Sequence, residues 1–372
     1  MINKERLVET FIELVKIDGK SGNEKDIAEN LVARLKELGL EVRTDNAGET
    51  FGGNAGNVIG YIEGNHPEKE PILLSAHMDT IEATPNIKVI IEDEIIKTDG
   101  NTILGADDRA GVACILETLR VIKDNNLEHP PIYVVFSVAE EIGMWGAKNI
   151  SPEEVKAKYG FIFDSSAKAG KVITEAPTGA RMDIKITGKS AHAAVAPENG
   201  INAIKIAGNA IARLNPGRFE AGTFNIGTIH GGKATNIVPD CVEIAVECRS
   251  FDDSILKEKV EEIKNVFQEE TDKLKGGIEF EYSEKYNCFK LEDSNKTVQI
   301  AFDAIRECGV EPESISFTGG SDANIYSNLG IPTVNIGTGY KGAHTHIEQI
   351  AIPDLYFDAK VTLNIVKISL NK

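Results

Sequence analysis

The first forty residues show the periodicity of two amphipathic helices. Apolar residues recur three and four positions apart over 4–16 and again over 24–38, which places them on one face of a helix. Ser21 and Glu24 have the spacing of a capping box at the start of the second helix, and Gly39 is suited to end it. The pattern therefore predicts two helices at the start of the chain.

Short apolar runs of strand length then alternate with helical segments. The strand-like runs lie at 72–77, 132–139, 160–163 and 333–336. The helical signals lie at 108–123, 152–158, 294–308 and 354–370. Strands that are apolar at nearly every position are buried on both faces, so this alternation predicts an α/β fold with a mostly parallel sheet and helices on both faces.

The pattern changes in the middle of the chain, where apolar and polar residues alternate. Met182, Ile184 and Ile186 point to one face of a strand, as expected for a half-exposed antiparallel sheet. In order, this stretch gives strand 180–188, helix 200–214, strand 223–230, strand 241–249, helix 254–275 and strand 277–286. The order βαββαβ is that of a ferredoxin-like α+β unit. We therefore predict an inserted domain over 178–288 within a first domain made of 1–177 and 289–372.

Composition and charge narrow the range of functions. The chain has 58 acidic against 40 basic side chains and a formal net charge of -18, which argues against a nucleic-acid partner. Its apolar runs are shorter than the about 20 residues of a membrane helix, and the N-terminus lacks an apolar signal region, so we expect a cytoplasmic protein with no membrane partner. The five cysteines never have the spacing C-x-x-C, which favours reduced thiols over disulfides or a zinc finger.

Acidic residues and histidines follow the predicted strands and one predicted loop. These residues are His77 and Asp79, Asp107 and Asp108, Glu140 and Glu141, Asp164, and His344 and His346. The carboxyl ends of parallel strands meet at one edge of the sheet, where open α/β folds bind their ligands. The sequence therefore predicts a functional site at this edge.

Each of these pairs also has a simpler interpretation. His77 and Asp79 would leave a strand on the same face, so that Asp79 could orient a metal-binding His77, although the pair could also be unrelated loop residues. One of Glu140 and Glu141 could bind a metal while its neighbour accepts a proton from water, although a solvated pair opening a turn is the alternative.

Asp107 precedes a predicted helix that Asp108 could cap, which leaves the Asp107 carboxylate free. Its two oxygens could bridge two cations about 3.5–4 Å apart, as in co-catalytic metal sites. Nitrogen and oxygen ligands without a thiolate suit zinc, cobalt or manganese.

Several motifs together resemble one enzyme family. The segments are Ser75–Thr80 (SAHMDT), Leu104–Gly111 (LGADDRAG), Ala139–Ala147 (AEEIGMWGA), Phe163–Asp164, His344-x-x-x-Glu348, Gly188–His192 (GKSAH) and Gly231–Pro239 (GGKATNIVP). They resemble the co-catalytic metallopeptidases that include aminoacylase, glutamate carboxypeptidase and peptidase T. The resemblance spans nearly the whole chain and implies a zinc-peptidase-like catalytic domain with an inserted lid and dimerisation domain.

The resemblance implies a role for each residue of the predicted site. His77 and Asp164 would hold one divalent metal ion, Glu141 and His344 a second, Asp107 would bridge both, Glu140 would be the general base, and Asp79 would orient His77. Zinc is the expected metal, with cobalt or manganese as alternatives. His346 is expected to be a neighbour of the site and not a ligand.

The inserted domain receives its roles from the same resemblance. It would mediate a homodimer, and His192 would reach the partner subunit's site to stabilise the tetrahedral oxyanion. Asn236 and Arg249 would bind substrate, through its terminal carboxylate in the case of Arg249. A surface strand residue paired with an acid is the alternative for Arg249.

Within the family the chain is most similar to peptidase T, which implies a tripeptide aminopeptidase acting on short peptides. Some peptidase T sequences have an arginine directly before a Gly-Gly-Thr-Asp segment, whereas Thr318 precedes Gly319-Gly320-Ser321-Asp322 here. Strict tripeptide specificity therefore stays open. The alternatives are a carboxypeptidase or an N-acyl-amino-acid amidohydrolase of the same family, or a metal-binding protein without catalytic activity.

Overall fold

A computed structural model describes residues 1–371. The α-helices are α1 (Lys4–Val15), α2 (Lys25–Leu38), α3 (Ala106–Asn125), α4 (Trp145–Lys148), α5 (Ala203–Arg213), α6 (Asp253–Lys273), α7 (Lys296–Arg306), α8 (Asp322–Asn328) and α9 (Ile352–Ser369). None of the helices in this part of the chain combines the length and the apolar character needed to cross a membrane.

The strands form three sheets. They are β1 (Glu41–Thr44), β2 (Val58–Ile62), β3 (Ile72–His77), β4 (Val89–Glu92), β5 (Ile95–Thr98), β6 (Ile132–Ser137), β7 (Tyr159–Ile162), β8 (Lys171–Ala176), β9 (Thr178–Thr187), β10 (Gly217–Phe219), β11 (Gly222–Gly231), β12 (Cys241–Ser250), β13 (Gly277–Tyr286), β14 (Phe289–Lys290), β15 (Glu313–Ser316), β16 (Thr333–Ile336) and β17 (Gln349–Ala351).

The chain divides into two compact units. The first contains Met1–Thr174, Lys290–Ser316 and the residues from Ser321 onward, and the second contains Glu175–Phe289 with Phe317–Gly320. Each unit has its own cluster of buried apolar side chains.

The first unit is built around the largest sheet, whose strand order is β1-β2-β6-β3-β7-β16-β8-β14. The four strands β6, β3, β7 and β16 are parallel, and the flanking pairs β1–β2, β2–β6 and β8–β16 are antiparallel. Every residue of β3 is buried although alternate side chains point to opposite faces, so helices and loops cover both faces of the sheet. The predicted α/β class is confirmed. The antiparallel strands at the flanks of the sheet were not predicted from the sequence.

The second unit has the predicted α+β architecture. Its sheet has the order β10-β11-β12-β9-β13 with antiparallel neighbours throughout. In β12 buried residues alternate with more exposed ones, and α5 and α6 supply the apolar side chains that cover the buried face. Without the short edge strand β10, the strands follow the ferredoxin-like order, which confirms the βαββαβ prediction.

Two local predictions were wrong. No helix forms over 152–158, because the turn that begins at Ser151 continues for only a few residues. Lys158 then leads directly into β7, and its amide donates to the carbonyl of Pro71, which precedes the neighbouring strand β3. The capping box before α2 is also absent. The Ser21 hydroxyl donates to Asp79, 58 residues away, so a tertiary contact takes the side chain that was expected to cap the helix.

Candidate active site

Two histidines and three carboxylates converge at the carboxyl edge of the parallel strands in the first unit. They form two groups with ligand atoms within 4.8 Å of one another, and both groups contain the same aspartate. The groups are His77 with Asp107 and Asp164, and Glu141 with Asp107 and His344. The five residues that the sequence predicted as metal ligands are therefore neighbours in the structure.

Asp107 lies between the two histidines. Its Oδ1 is 3.0 Å from Nε2 of His77, and its Oδ2 is 3.4 Å from Nε2 of His344. Asp107 and Asp108 have non-helical backbone angles at the start of α3. Asp108 accepts hydrogen bonds from the amides of Gly111 and His77, so it caps the helix as the sequence suggested and leaves Asp107 turned toward the cluster.

His77 ends β3 and has its other ring nitrogen facing Asp79. Nδ1 lies 3.1 Å from the Asp79 carbonyl oxygen and 3.3 Å from its carboxylate Oδ1. Since both atoms are acceptors, they favour the tautomer that carries its proton on Nδ1 and leaves Nε2 free for a cation.

The segment that carries the two glutamates is held by its backbone. Ala139 has a φ of 50°, a left-handed conformation that is costly for a residue other than glycine. The fully buried carboxylate of Asp79 accepts the amide hydrogens of Glu140 at 3.1 Å and Glu141 at 3.3 Å. These hydrogen bonds fix the backbone from which the two glutamate side chains extend.

Asp164 follows β7 and is fixed by two neighbouring side chains. The Asn335 side chain accepts the Asp164 amide hydrogen at 3.0 Å and donates to the Asp164 carbonyl. The Tyr340 hydroxyl donates to Oδ1 of Asp164 at 3.3 Å. The backbone and the carboxylate of this residue are therefore both positioned.

The electrostatics of the cluster indicate too little positive charge for its carboxylates. Burial raises the pKa of Asp164, Glu140 and Glu141, and the negative charge of Asp107 raises the pKa of Asp164 and Glu141 further. Hydrogen bonding to Asp107 and Glu141 raises the pKa of His344 to about 10. Without a metal ion, these carboxylates therefore tend to bind protons. A bound cation would supply the positive charge that the ionised carboxylates need.

The side chains present fit two divalent cations. All ligand atoms are imidazole nitrogens or carboxylate oxygens, a set that suits zinc, cobalt or manganese. Buried Oε1 of Glu141 has no hydrogen-bond partner among residues 1–371, and a cation would supply the partner that this oxygen lacks.

Two further buried glutamates support the site, and the sequence interpretation assigned neither of them this role. Glu24 accepts the amide hydrogens of Gly22 at 2.9 Å and Ala139 at 3.1 Å, and burial raises its pKa to about 7. Glu348 accepts three amide hydrogens from the Asp107 loop, and burial raises its pKa to about 7 as well. The sequence indicated only Glu348, through its place in the motif His344-x-x-x-Glu348. Hydrogen bonds to backbone amides leave no pattern of residue types.

His346 pairs with another acid near the site. Its Nε2 lies 2.7 Å from Oε1 of Glu82, and it belongs to neither of the two metal-ligand groups found among residues 1–371. Its ring is thereby engaged outside the cluster.

The predicted oxyanion and substrate residues lie in the second unit. His192 and Asn236 are exposed neighbours, because the backbone at His192 bridges Ile237 and the Ala193 amide donates to the Asn236 carbonyl. Arg249 forms a two-point ion pair with Glu247, with distances of 2.8 and 3.2 Å, and donates to the Thr318 carbonyl at 3.1 Å. This geometry matches the alternative interpretation of Arg249, and its role toward substrate stays a prediction.

Comparison with known proteins gives matches along the whole chain. Residues 73–368 match the family described as Peptidase family M20/M25/M40. A tripeptidase structure from Staphylococcus aureus subsp. aureus Mu50 is 40% identical, with a TM-score of 0.96 over 100% of both chains. The structure of aminopeptidase PepT from Bacillus cereus ATCC 10987 is 39% identical, with a TM-score of 0.92 over 100% of both chains. Peptidase T from Clostridium botulinum strain Langeland is 26% identical, covering 98% of this chain and 99% of the relative.

Proposed function

Because the chain belongs to peptidase family M20/M25/M40, we propose that it is a metal-dependent peptidase that removes the N-terminal residue from short peptides, above all tripeptides. The observation that carries this proposal is Asp107, whose two oxygens face His77 and His344 and are common to both candidate metal groups. Full-length similarity to a tripeptidase and to an aminopeptidase supports the choice of substrate.

We assign two divalent cations to the five ligand residues. His77 and Asp164 would hold one cation, Glu141 and His344 the other, and Asp107 would be shared. When bound, such cations polarise a scissile carbonyl group and lower the pKa of a water molecule. Zinc is our choice of metal, and cobalt and manganese are the alternatives that the same ligand atoms suit.

Glu140 is assigned as the general base. Its carboxylate has no hydrogen-bond or ion-pair partner among residues 1–371, whereas the carboxylate of the adjacent Glu141 approaches His344 at 2.8 Å. In this assignment Glu140 accepts a proton from the attacking water and returns it to the leaving amine. Asp79 acts through both His77 and Glu140, since it orients the ring of the first and holds the amide of the second.

His192 is assigned as the donor that stabilises the oxyanion, acting in the partner subunit's site. Its Nδ1 accepts the amide hydrogens of Ala194 and Val195, both at 3.2 Å. An accepting Nδ1 requires the proton of a neutral ring to be on Nε2, and the exposed ring can present that N–H to substrate. This tautomer supports the proposed role.

Asn236 and Arg249 are assigned to substrate binding. The ion pair between Arg249 and Glu247 uses the same two-point geometry with which a guanidinium binds the terminal carboxylate of a peptide. In this proposal the peptide carboxylate replaces Glu247 on the Arg249 guanidinium. Exposed Asn236 lies next to His192 and would contact the same substrate.

We further propose that residues 178–288 act as a lid and form a homodimer interface, and that the enzyme is cytoplasmic. The exposed position of His192 in this segment suits a contribution to a second subunit. The five cysteines are free thiols, which suits a reducing compartment.

Mixed dimers test the cross-subunit role of His192. Separately inactive His192→Ala and Glu140→Gln proteins should regain activity after mixing, because one composite site in each hybrid dimer is intact. Subunit exchange is verified with differently tagged chains. Absence of recovery after verified exchange would rule out the assignment of His192 to the partner's site.

The proposed reaction is tested with one set of peptides. The purified protein is incubated with trialanine, N-acetyl-trialanine and trialanine amide, each with zinc, cobalt or manganese and with a chelator control. Chelator-sensitive release of the N-terminal residue from trialanine, but not from the acetylated peptide, is expected. Cleavage that survives acetylation and fails on the amide would instead indicate a carboxypeptidase or amidohydrolase, and metal binding without any cleavage would indicate a non-catalytic protein.

A further inference from the structure

Glu348 is a buried carboxylate with an unusually complete set of backbone partners. Its side chain accepts the amide hydrogens of Leu104 at 2.9 Å and Gly105 at 2.6 Å on Oε2, and that of Asp107 at 3.0 Å on Oε1. The residue is only 1% exposed. Both oxygens are thereby used by one loop, and Glu348 belongs to neither metal-ligand group.

The loop that Glu348 holds could not satisfy these amides by itself. Gly105 has a φ of 75° and Asp107 has non-helical backbone angles, so the chain from Leu104 to Asp107 lacks the regular hydrogen bonds of the helix that follows. Without the carboxylate three amide hydrogens would lose their acceptor, and burial makes such a loss costly. Glu348 therefore fixes the path of the backbone that carries Asp107.

The short segment that contains Glu348 also carries His344. Lys341 and Gln349 exchange two backbone hydrogen bonds of 2.9 Å, which close the segment between them into a loop. The Glu348 amide donates to the Thr345 carbonyl at 3.0 Å, which ties the base of this loop to the turn after His344. One closed loop thus contains a candidate metal ligand and the acceptor for the backbone of another.

We propose that Glu348 is a positioning residue that sets the place of the shared carboxylate Asp107 relative to His344, and thereby the affinity of the site for its two cations. The inference rests on the proposed dinuclear site. It differs from a ligand role, because Glu348 acts through the loop Leu104–Asp107 and does not contact the metal.

Two substitutions at this position should have graded effects. In Glu348→Gln the remaining side-chain oxygen can still accept the amide hydrogens of Leu104 and Gly105. The new NH₂ group then faces the Asp107 amide, and because both groups are donors, the Asp107 amide loses its acceptor. Glu348→Ala leaves all three amides without an acceptor. Outer-shell partners of metal ligands typically contribute about 10–100-fold in metal affinity. We expect a loss of about 10-fold for Glu348→Gln and about 100-fold for Glu348→Ala.

Glu117→Gln is the matched control. Glu117 is 2% exposed in the same unit and accepts the Asn3 amide at 2.8 Å and Arg6 at 2.7 Å. Removing its charge perturbs a buried carboxylate of similar burial without touching the loop Leu104–Asp107. The control should bind metal as the unaltered protein does.

The experiment measures cobalt and zinc binding by calorimetry, together with the absorption spectrum of bound cobalt and thermal unfolding of the metal-free proteins. A purely structural role predicts lower thermal stability with unchanged metal affinity and an unchanged cobalt spectrum. The positioning role predicts weaker binding and an altered spectrum in both Glu348 variants but not in Glu117→Gln.

The outcomes separate this inference from the proposed function. Two cations bound by the unaltered protein and by folded Glu348→Gln with equal affinity would overturn the role of Glu348 and leave the proposed function standing. An unaltered protein that binds fewer than two cations would overturn the proposed dinuclear site itself. If Glu348→Ala does not fold, Glu348→Gln alone decides the question, because it preserves the size of the side chain.

Discussion

The two candidate metal groups share Asp107 but differ in how firmly the rest of each is built. The His77 and Asp164 side chains are 1% and 10% exposed, and both residues stand at the ends of parallel strands. In the second group the Glu141 side chain is 5% exposed, so the difference lies in the histidine: the His344 side chain is 49% exposed, lies on a loop and has a φ of 62°. We call the first the buried half and the second the exposed half of the site.

A shared carboxylate therefore does not make the two halves equivalent. In the buried half, Asp79 orients His77 while Asn335 and Tyr340 hold Asp164. In the exposed half, the histidine depends on a loop in a costly backbone conformation. We therefore expect the buried half to bind its cation more tightly and to release it more slowly.

Replacing the shared residue should have the largest effect, because it breaks both halves at once. Asp107→Ala removes a ligand from each group, and metal ions contribute several kcal/mol to such reactions, so kcat/KM should fall on the order of 10⁴-fold. Metal content measured on the purified variant should be far below two equivalents. Retention of two tightly bound cations would show that Asp107 does not bridge them.

Replacing the general base should leave both halves intact. Glu140→Gln is expected to lower kcat by about 10³-fold, within the usual range for general-base catalysis, while two cations stay bound. Glu141→Gln is the neighbouring control, and it should weaken only the cation of the exposed half. Near-normal turnover of Glu140→Gln would contradict its assignment as the base.

Stepwise removal of metal should reveal the inequality of the two halves. A chelator added in increasing amounts is expected to withdraw one equivalent well before the other, as followed by the absorption of the cobalt-loaded protein. His344→Ala should lack the first of these steps and keep one cation, whereas His77→Ala should lose the tighter site. Simultaneous loss of both cations from the unaltered protein would argue against a difference between the halves.

The smallest expected effect concerns the buried half alone. Tyr340→Phe removes the hydroxyl that donates to Asp164, and one hydrogen bond contributes about 1 kcal/mol, so the affinity for the tighter cation should fall about fivefold. Tyr326→Phe is the control, since it removes a buried hydroxyl that lies 3.3 Å from the Ser75 hydroxyl and makes no contact with the cluster. Equal effects of the two variants on calorimetric metal binding would show that Tyr340 does not position Asp164.

The sequence predicted most of the architecture because burial leaves a direct pattern. The run 72–77 is apolar except for Ser75 and its final histidine, and β3 occupies the same residues with every position buried. The family inferred from the motifs is confirmed. The helix predicted over 152–158 does not form: the Ser151 amide donates to the Glu154 side chain at 3.2 Å, as at the start of a helix, but only one turn follows.

The site was predicted in part, for a similar reason. Candidate ligands such as His77 and Asp164 are visible because they follow strands, and the structure brings the five of them together while their roles stay predictions. The supporting roles of Ser21, Glu24 and Glu348 were not visible. Each bonds to a residue more than 50 positions away, and the partners of Glu24 and Glu348 are backbone amides, which any residue type provides.

Anomalous diffraction from crystals of the zinc-loaded protein would show whether the Asp107 carboxylate is shared by two cations. We expect two anomalous peaks about 3.5–4 Å apart with one oxygen of Asp107 on each. The zinc ion at one peak should be bound by His77 and Asp164, and the zinc ion at the other by Glu141 and His344. A single peak, or two peaks with Asp107 on only one of them, would show that Asp107 does not bridge two cations.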